Sequence, residues 1–103
     1  MDYSVVWTPD AEHDLDVVVS YLATTLGSRA AASKLLDGMD SLVRTLSTFP
    51  YAHELVRDRL LAKRGYRKAT VESYVVLYLV SDATNEVVIT NVMHGSQDYL
   101  RHV

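Results

Sequence analysis

Apolar positions recur along the chain with two different periods, and the change from one to the other predicts its elements. Residues 2–7, DYSVVW, are β-branched and aromatic, which predicts a short strand. Thr8-Pro9 predicts a helix start, with Thr8 as the cap, Pro9 at the first helical position, and Asp10 and Glu12 at the positive end of the dipole. Ala11, Leu15, Val18, Val19, Leu22 and Leu26 follow at steps of three and four, one apolar stripe. Gly27 suits the left-handed position that closes a helix, and Ser28 opens the next. Ala32, Leu35, Leu36, Met39, Leu42, Val43 and Leu46 form its stripe, ended by Phe49-Pro50. Two long helices joined by a Gly-Ser corner fold back as an antiparallel hairpin.

After a loop over 51–64 the period falls to two. Tyr66 to Val71, Tyr74 to Val80 and Val87 to Met93 predict three strands, joined by turns at Glu72-Ser73 and across SDATNE. The expected architecture is α+β in the order β-α-α-β-β-β. A helical hairpin packs on one face of a mainly antiparallel sheet, in a single domain over 1–103. YVVLYLV and VVITNVM are apolar on nearly every residue, so both sheet faces need cover and the hairpin supplies only one. The expectation is that a partner covers much of the second face; the competing reading is that the 51–64 loop and the tail fold over it.

Composition narrows the class. The 103 residues contain no cysteine, so no disulfide framework or thiolate metal site exists. The start is not a secretory signal, and the longest apolar run, Tyr74 to Val80, is far short of a membrane span. A cytoplasmic protein with no membrane role is the expectation. The net charge of −3 hides an asymmetry. Residues 1–54 carry eight acids and three bases, a sum of −5; residues 55–103 carry seven bases and five acids, a sum of +2. Between 55 and 70, six bases face only Asp58. Arg57, Arg59, Lys63, Arg64 and Lys68 are therefore the candidates for RNA or phosphate binding.

Motifs for cofactors and metals are absent, and His13, His53, His94 and His102 are too scattered for a metal site. No cofactor and no metal are expected. The acids Asp10, Glu12, Asp14 and Asp16 read as a solvated helix face. His94 ends a strand before Gly95, where a general acid or base can stand, or where a histidine can simply fix the turn. Tyr99 can position a phosphate or pack the tail down. Arg67 and Lys68 are adjacent in a strand, so they emerge on opposite faces.

The run GYRKATVESYVVLYLV followed by VVITNVMHGSQDY resembles the RelE/ParE family of bacterial type II toxins. The opening strand, the TPDAEHDL helix start, the FP closing the second helix and the GYRK strand fall in the family's order. The resemblance implies a toxin neutralised by a cognate antitoxin, whose segment lies over the sheet. RelE-like members are metal-independent endoribonucleases acting on messenger RNA at the ribosome; ParE-like members inhibit DNA gyrase without known catalytic residues. By this resemblance Arg67 holds phosphate, His94 transfers protons, and Tyr99 and Lys68 assist. Where many ribonuclease relatives place arginines, this chain has Val75 and Leu79, and Ser96 and Gln97 stand where some have basic residues. The expectation leans to RNA cleavage, with gyrase inhibition or a non-toxic binding module of the same fold as alternatives.

Overall fold

The computed structural model describes residues 2–95. Its elements are β1 (Ser4–Trp7), α1 (Pro9–Ser20), a π-helical turn (Tyr21–Thr25), α2 (Arg29–Thr48), α3 (Arg59–Lys63), β2 (Arg67–Val71), β3 (Tyr74–Ser81) and β4 (Glu86–His94). The sheet runs β1-β4-β3-β2, with β1 parallel to β4 and the other pairs antiparallel. The fold is the expected α+β arrangement.

The helix boundaries follow the sequence because the caps are made. Thr8 Oγ1 accepts from the Ala11 amide at 3.1 Å and donates to the Thr90 carbonyl at 3.2 Å, so one hydroxyl caps α1 and ties it to β4. Ser28 caps α2 through the Ala31 amide at 3.1 Å, after Gly27 turns the chain at φ +64. Between them α1 widens: the Leu26 amide donates five residues back, to the Tyr21 carbonyl. That wider turn carries Leu26 off the stripe expected to bury it, and it is exposed. Leu36 also faces outward, while Ala32, Leu35, Met39, Leu42 and Leu46 are buried.

Those α2 residues pack with Ala11 and Leu22 against Ala69, Val71, Val76, Tyr78, Val87, Ile89 and Val92, the main core. The period-two pattern breaks once inside it. Leu77 pairs with Asn91 but Tyr78 pairs with Ile89, so Thr90 is the extra residue of a β-bulge. The bulge resets the alternation of β4. Val87 and Ile89 face the helices before it, and Val92 faces them after it.

The second sheet face corrects an expectation. The segment after α2, read as a loop over 51–64, contains α3, and it covers much of the face assigned to a partner. Val56 and Leu61 bury Val75, Leu77 and Met93 beneath them, with Ala62 and Tyr66 half-buried at the margin. Asp58 starts the roof helix by accepting from the Leu61 amide at 2.9 Å. What remains open is a strip: Leu79 and Val88 are half-buried neighbours in register, and Val6, paired to Val88, is 38% exposed. Among the described residues, no helix is long and apolar enough to cross a membrane.

Candidate functional site

Arg67 opens β2 opposite Tyr78, on the helix side of the sheet, while Lys68 emerges on the other side and is exposed. The expected opposition of these two side chains is present. The Arg67 guanidinium lies 4.8 Å from the Tyr51 ring centroid, and Nη1 donates to the His53 carbonyl at 2.7 Å. Tyr78, fully buried, donates its hydroxyl to the Pro50 carbonyl at 3.2 Å, and burial pushes its pKa upward. Arg67 and Tyr78 therefore fasten residues 50–53 to the sheet.

Next to them, Asp82 accepts from the hydroxyls of Tyr51 at 2.6 Å and Tyr3 at 2.7 Å. One carboxylate thus joins the β3–β4 turn, the segment after α2 and the chain start. The Tyr51 and Tyr3 hydrogen bonds hold the Asp82 carboxyl below its ordinary value, and the same bonds raise both tyrosines. A depressed carboxylate contributes stability that is present above its unfolded pKa and lost as pH falls through the folded value. A raised phenol contributes stability present below its unfolded pKa and lost as pH rises. The tie is therefore intact between the ordinary values of 3.8 and 10.0 and fails on both sides. Thermal unfolding of wild type and Asp82→Ala across pH should show a Tm gap in that window that closes at both extremes.

His94 ends β4 opposite Tyr74, with the two rings edge to face at 5.5 Å. It lines a shallow depression of about 310 Å³ with Leu22, Ala31, Lys34 and Tyr74, beyond the helix corner. The Gly95 amide continues the pairing to the Ser73 carbonyl at 2.8 Å. Tyr99, Ser96 and Gln97 lie outside the described residues.

The register separates the two residues expected to share a phosphate. Arg67 stands opposite Tyr78 and His94 opposite Tyr74, on strands flanking β3 from either side. Four strand residues span about 13 Å, before the width of the intervening strand is added. Pairing order, not sequence order, decides which strand positions meet, and it sets Arg67 and His94 apart along β3. Val75 is buried beneath α3, packed with Val56 and Leu61.

The basic residues form a different constellation. Arg57, Arg59, Lys63, Arg64 and Lys68 are all exposed around the roof. Arg57 and Lys68 line a depression of about 300 Å³ with His53, Glu54 and Leu55. Two leucines accompany them that the charge pattern alone does not reveal: Leu55 is 45% and Leu60 72% exposed. The signal for Leu60 is an apolar pair, Leu60-Leu61, of which a five-residue helix can bury one.

The acids of α1 also need revision at one position. Asp14 Oδ2 accepts from the Val92 amide at 3.0 Å, beyond the end of β1, where β4 has no strand partner on that side. Asp14 is a strand-edge cap, not merely part of a solvated face. Among the described residues no group of His, Asp and Glu has the arrangement of a metal site.

The profile of the family described as ParE toxin of type II toxin–antitoxin system, parDE, matches residues 5–99. Comparison with curated proteins gave no match. Among solved structures, the chain is similar to one from the chromosomal ParDE toxin–antitoxin system of P. aeruginosa, at 21% identity and TM-score 0.68. That alignment covers 89% of this chain and 95% of the other. It is similar to a chain of the RelBE2 toxin–antitoxin complex from Mycobacterium tuberculosis, at 24% identity and TM-score 0.64, covering 91% and 99%. A YoeB/ParE toxin from Agrobacterium tumefaciens matches at 16% identity and TM-score 0.63, covering 88% and 96%.

Proposed function

This chain belongs to the ParE toxin family of type II toxin–antitoxin systems, and from that premise we propose that it arrests growth by binding DNA gyrase rather than by cutting RNA. The observation that carries this reading is the separation of Arg67 from His94 by the length of β3 between Tyr74 and Tyr78. Cleavage beside a 2′-hydroxyl requires a base, an acid and cations within hydrogen-bond reach of one phosphate. Arg67 is instead engaged with Tyr51 and the His53 carbonyl. Lys68 projects from the other face of the sheet, and an apolar Val75 is roofed over. Inhibition by protein–protein contact makes no such demand; it needs a rigid, exposed surface of suitable charge.

The toxin acts in the cytoplasm and is held in check by a cognate antitoxin, as the ParDE and RelBE2 assemblies suggest by their pairing. The strip of Val6, Val88 and Leu79 left open beside the roof is apolar surface for that antitoxin to cover. Expression of the chain alone should stop growth, and co-expression of its antitoxin should restore it.

His94→Gln is the discriminating variant. It removes the proton-transfer group from an exposed strand end without emptying the core. Growth arrest by His94→Gln should stay within about twofold of wild type, since an exposed substitution changes stability by only about 0.5 kcal/mol. Transcript ends mapped during arrest should show no new cuts within translated codons. Loss of arrest together with such cuts in wild type would establish the ribonuclease reading.

A further inference from the structure

The basic residues around α3 have lost their assigned role if no RNA is cut, yet their arrangement is not that of a merely soluble surface. Leu60 is 72% exposed on a helix whose next residue, Leu61, is buried. Residues three and four apart share a helix face, so Leu60, Lys63 and Arg64 point the same way. Leu55, Arg57 and Lys68 line one depression beside them. No ion pair among the described residues engages these cations; the pair that is made joins Lys34 to Glu72 elsewhere. The surface is rigidly backed, because Val56 and Leu61 are anchored on Val75, Leu77 and Met93.

We propose that this outward face of α3 is the surface with which the toxin grips gyrase. It accepts an acidic segment of that enzyme that carries an apolar side chain onto Leu60 and Leu55. The inference rests on the gyrase reading above and adds where contact is made and what chemistry it demands. Charge complementarity sets the sign of the partner. Arg57, Arg59, Lys63, Arg64 and Lys68 are exposed around this face, against Glu54 in the depression and Asp58, which is occupied capping α3. The type of exposed apolar residue sets its class. Single-stranded nucleic acid is gripped by aromatic rings on which bases stack, whereas the exposed apolar residues between these cations are leucines. An apolar anchor ringed by charge is the anatomy of a protein interface. The acidity of the chain as a whole, −3, also disfavours nucleic acid.

Purified toxin, purified gyrase and relaxed plasmid test the proposal by the concentration that half-inhibits supercoiling. Leu60→Asp, and separately the pair Lys63→Glu with Arg64→Glu, should each raise that concentration at least tenfold. The effect of the charge pair should shrink as salt is raised. All three positions are exposed, so circular dichroism and Tm should match wild type; Leu60→Ala, with about tenfold weakening, serves if Leu60→Asp perturbs the fold. Arg29→Glu, on an exposed position of α2, should change nothing. Inhibition by wild type that these variants leave intact would overturn the inference alone. So would variants that lose only antitoxin binding, or only retardation of an oligoribonucleotide, while still inhibiting gyrase. Absence of inhibition by wild type would overturn the gyrase reading, and this surface assignment with it.

Discussion

Leu77→Ala is expected to cost about 2–5 kcal/mol of folding stability, the range for truncating a large aliphatic side chain in a core. Leu77 is fully buried, yet it points away from the helices that form the main core. Its burial is supplied by Val56 and Leu61, in a segment with only one turn of helix. A sheet face awaiting a foreign chain would leave Leu77 in water, and truncation would then be nearly silent. Leu60→Ala on the outer side of the same roof is the matched control, expected within about 0.5 kcal/mol of wild type. Urea unfolding of both variants, with unchanged m-values, measures the contrast directly. A cost at Leu77 below about 1 kcal/mol would mean the roof does not hold in solution.

Gly38→Val is expected to cost about 3 kcal/mol, the upper end of the range for overpacking a close contact. Glycine inside a helix is itself unfavourable by roughly 1 kcal/mol relative to alanine, so its presence in α2 requires a reason. A Cβ built there falls 2.6 Å from Cγ1 of Val71, closer than atoms can approach. Val71 is buried and β-branched, so its χ1 is restricted and moving its methyl aside is costly. Helix α2 therefore sits against β2 at a separation that only hydrogen at position 38 permits. Val71→Ala in the same chain should recover part of the loss. A double-mutant cycle should give a coupling of about 1 kcal/mol or more. Strict additivity would show that the two residues do not meet.

How much of this fold is legible in the sequence depends on the range of the interaction. The helix starts were readable because Thr8 and Ser28 act within three residues, and the corner because Gly27 needs only its own φ. The α2 stripe was readable because twenty residues contain more than five turns of pattern. Helix α3 was not, since five residues give barely one turn, and its burial depends on a sheet that follows it in the chain. The π-helical turn at Tyr21–Thr25 and the bulge at Thr90 each shift a periodic pattern by one residue, which no fixed period anticipates.

At the candidate site the same limit decided the outcome. The opposition of Arg67 and Lys68 follows from strand alternation and was readable from two adjacent letters. Their partners were not. Tyr3 reaches Asp82 across 79 positions, Tyr51 reaches it across 31, and Asp14 finds Val92 across 78. The family resemblance joined Arg67 and His94 in one chemical role, while the antiparallel pairing of β2, β3 and β4 sets them opposite Tyr78 and Tyr74, four residues apart along β3. Exposure at Leu60 was likewise hidden, because which of two adjacent leucines faces inward is settled only by the roof's docking.

The topology of a reporter plasmid taken from cells arrested by this toxin tests the central claim most directly. Contact-based poisoning of gyrase predicts loss of negative supercoiling, or gyrase-dependent breaks, soon after induction and before viability falls. A topoisomer distribution unchanged through full growth arrest would contradict it.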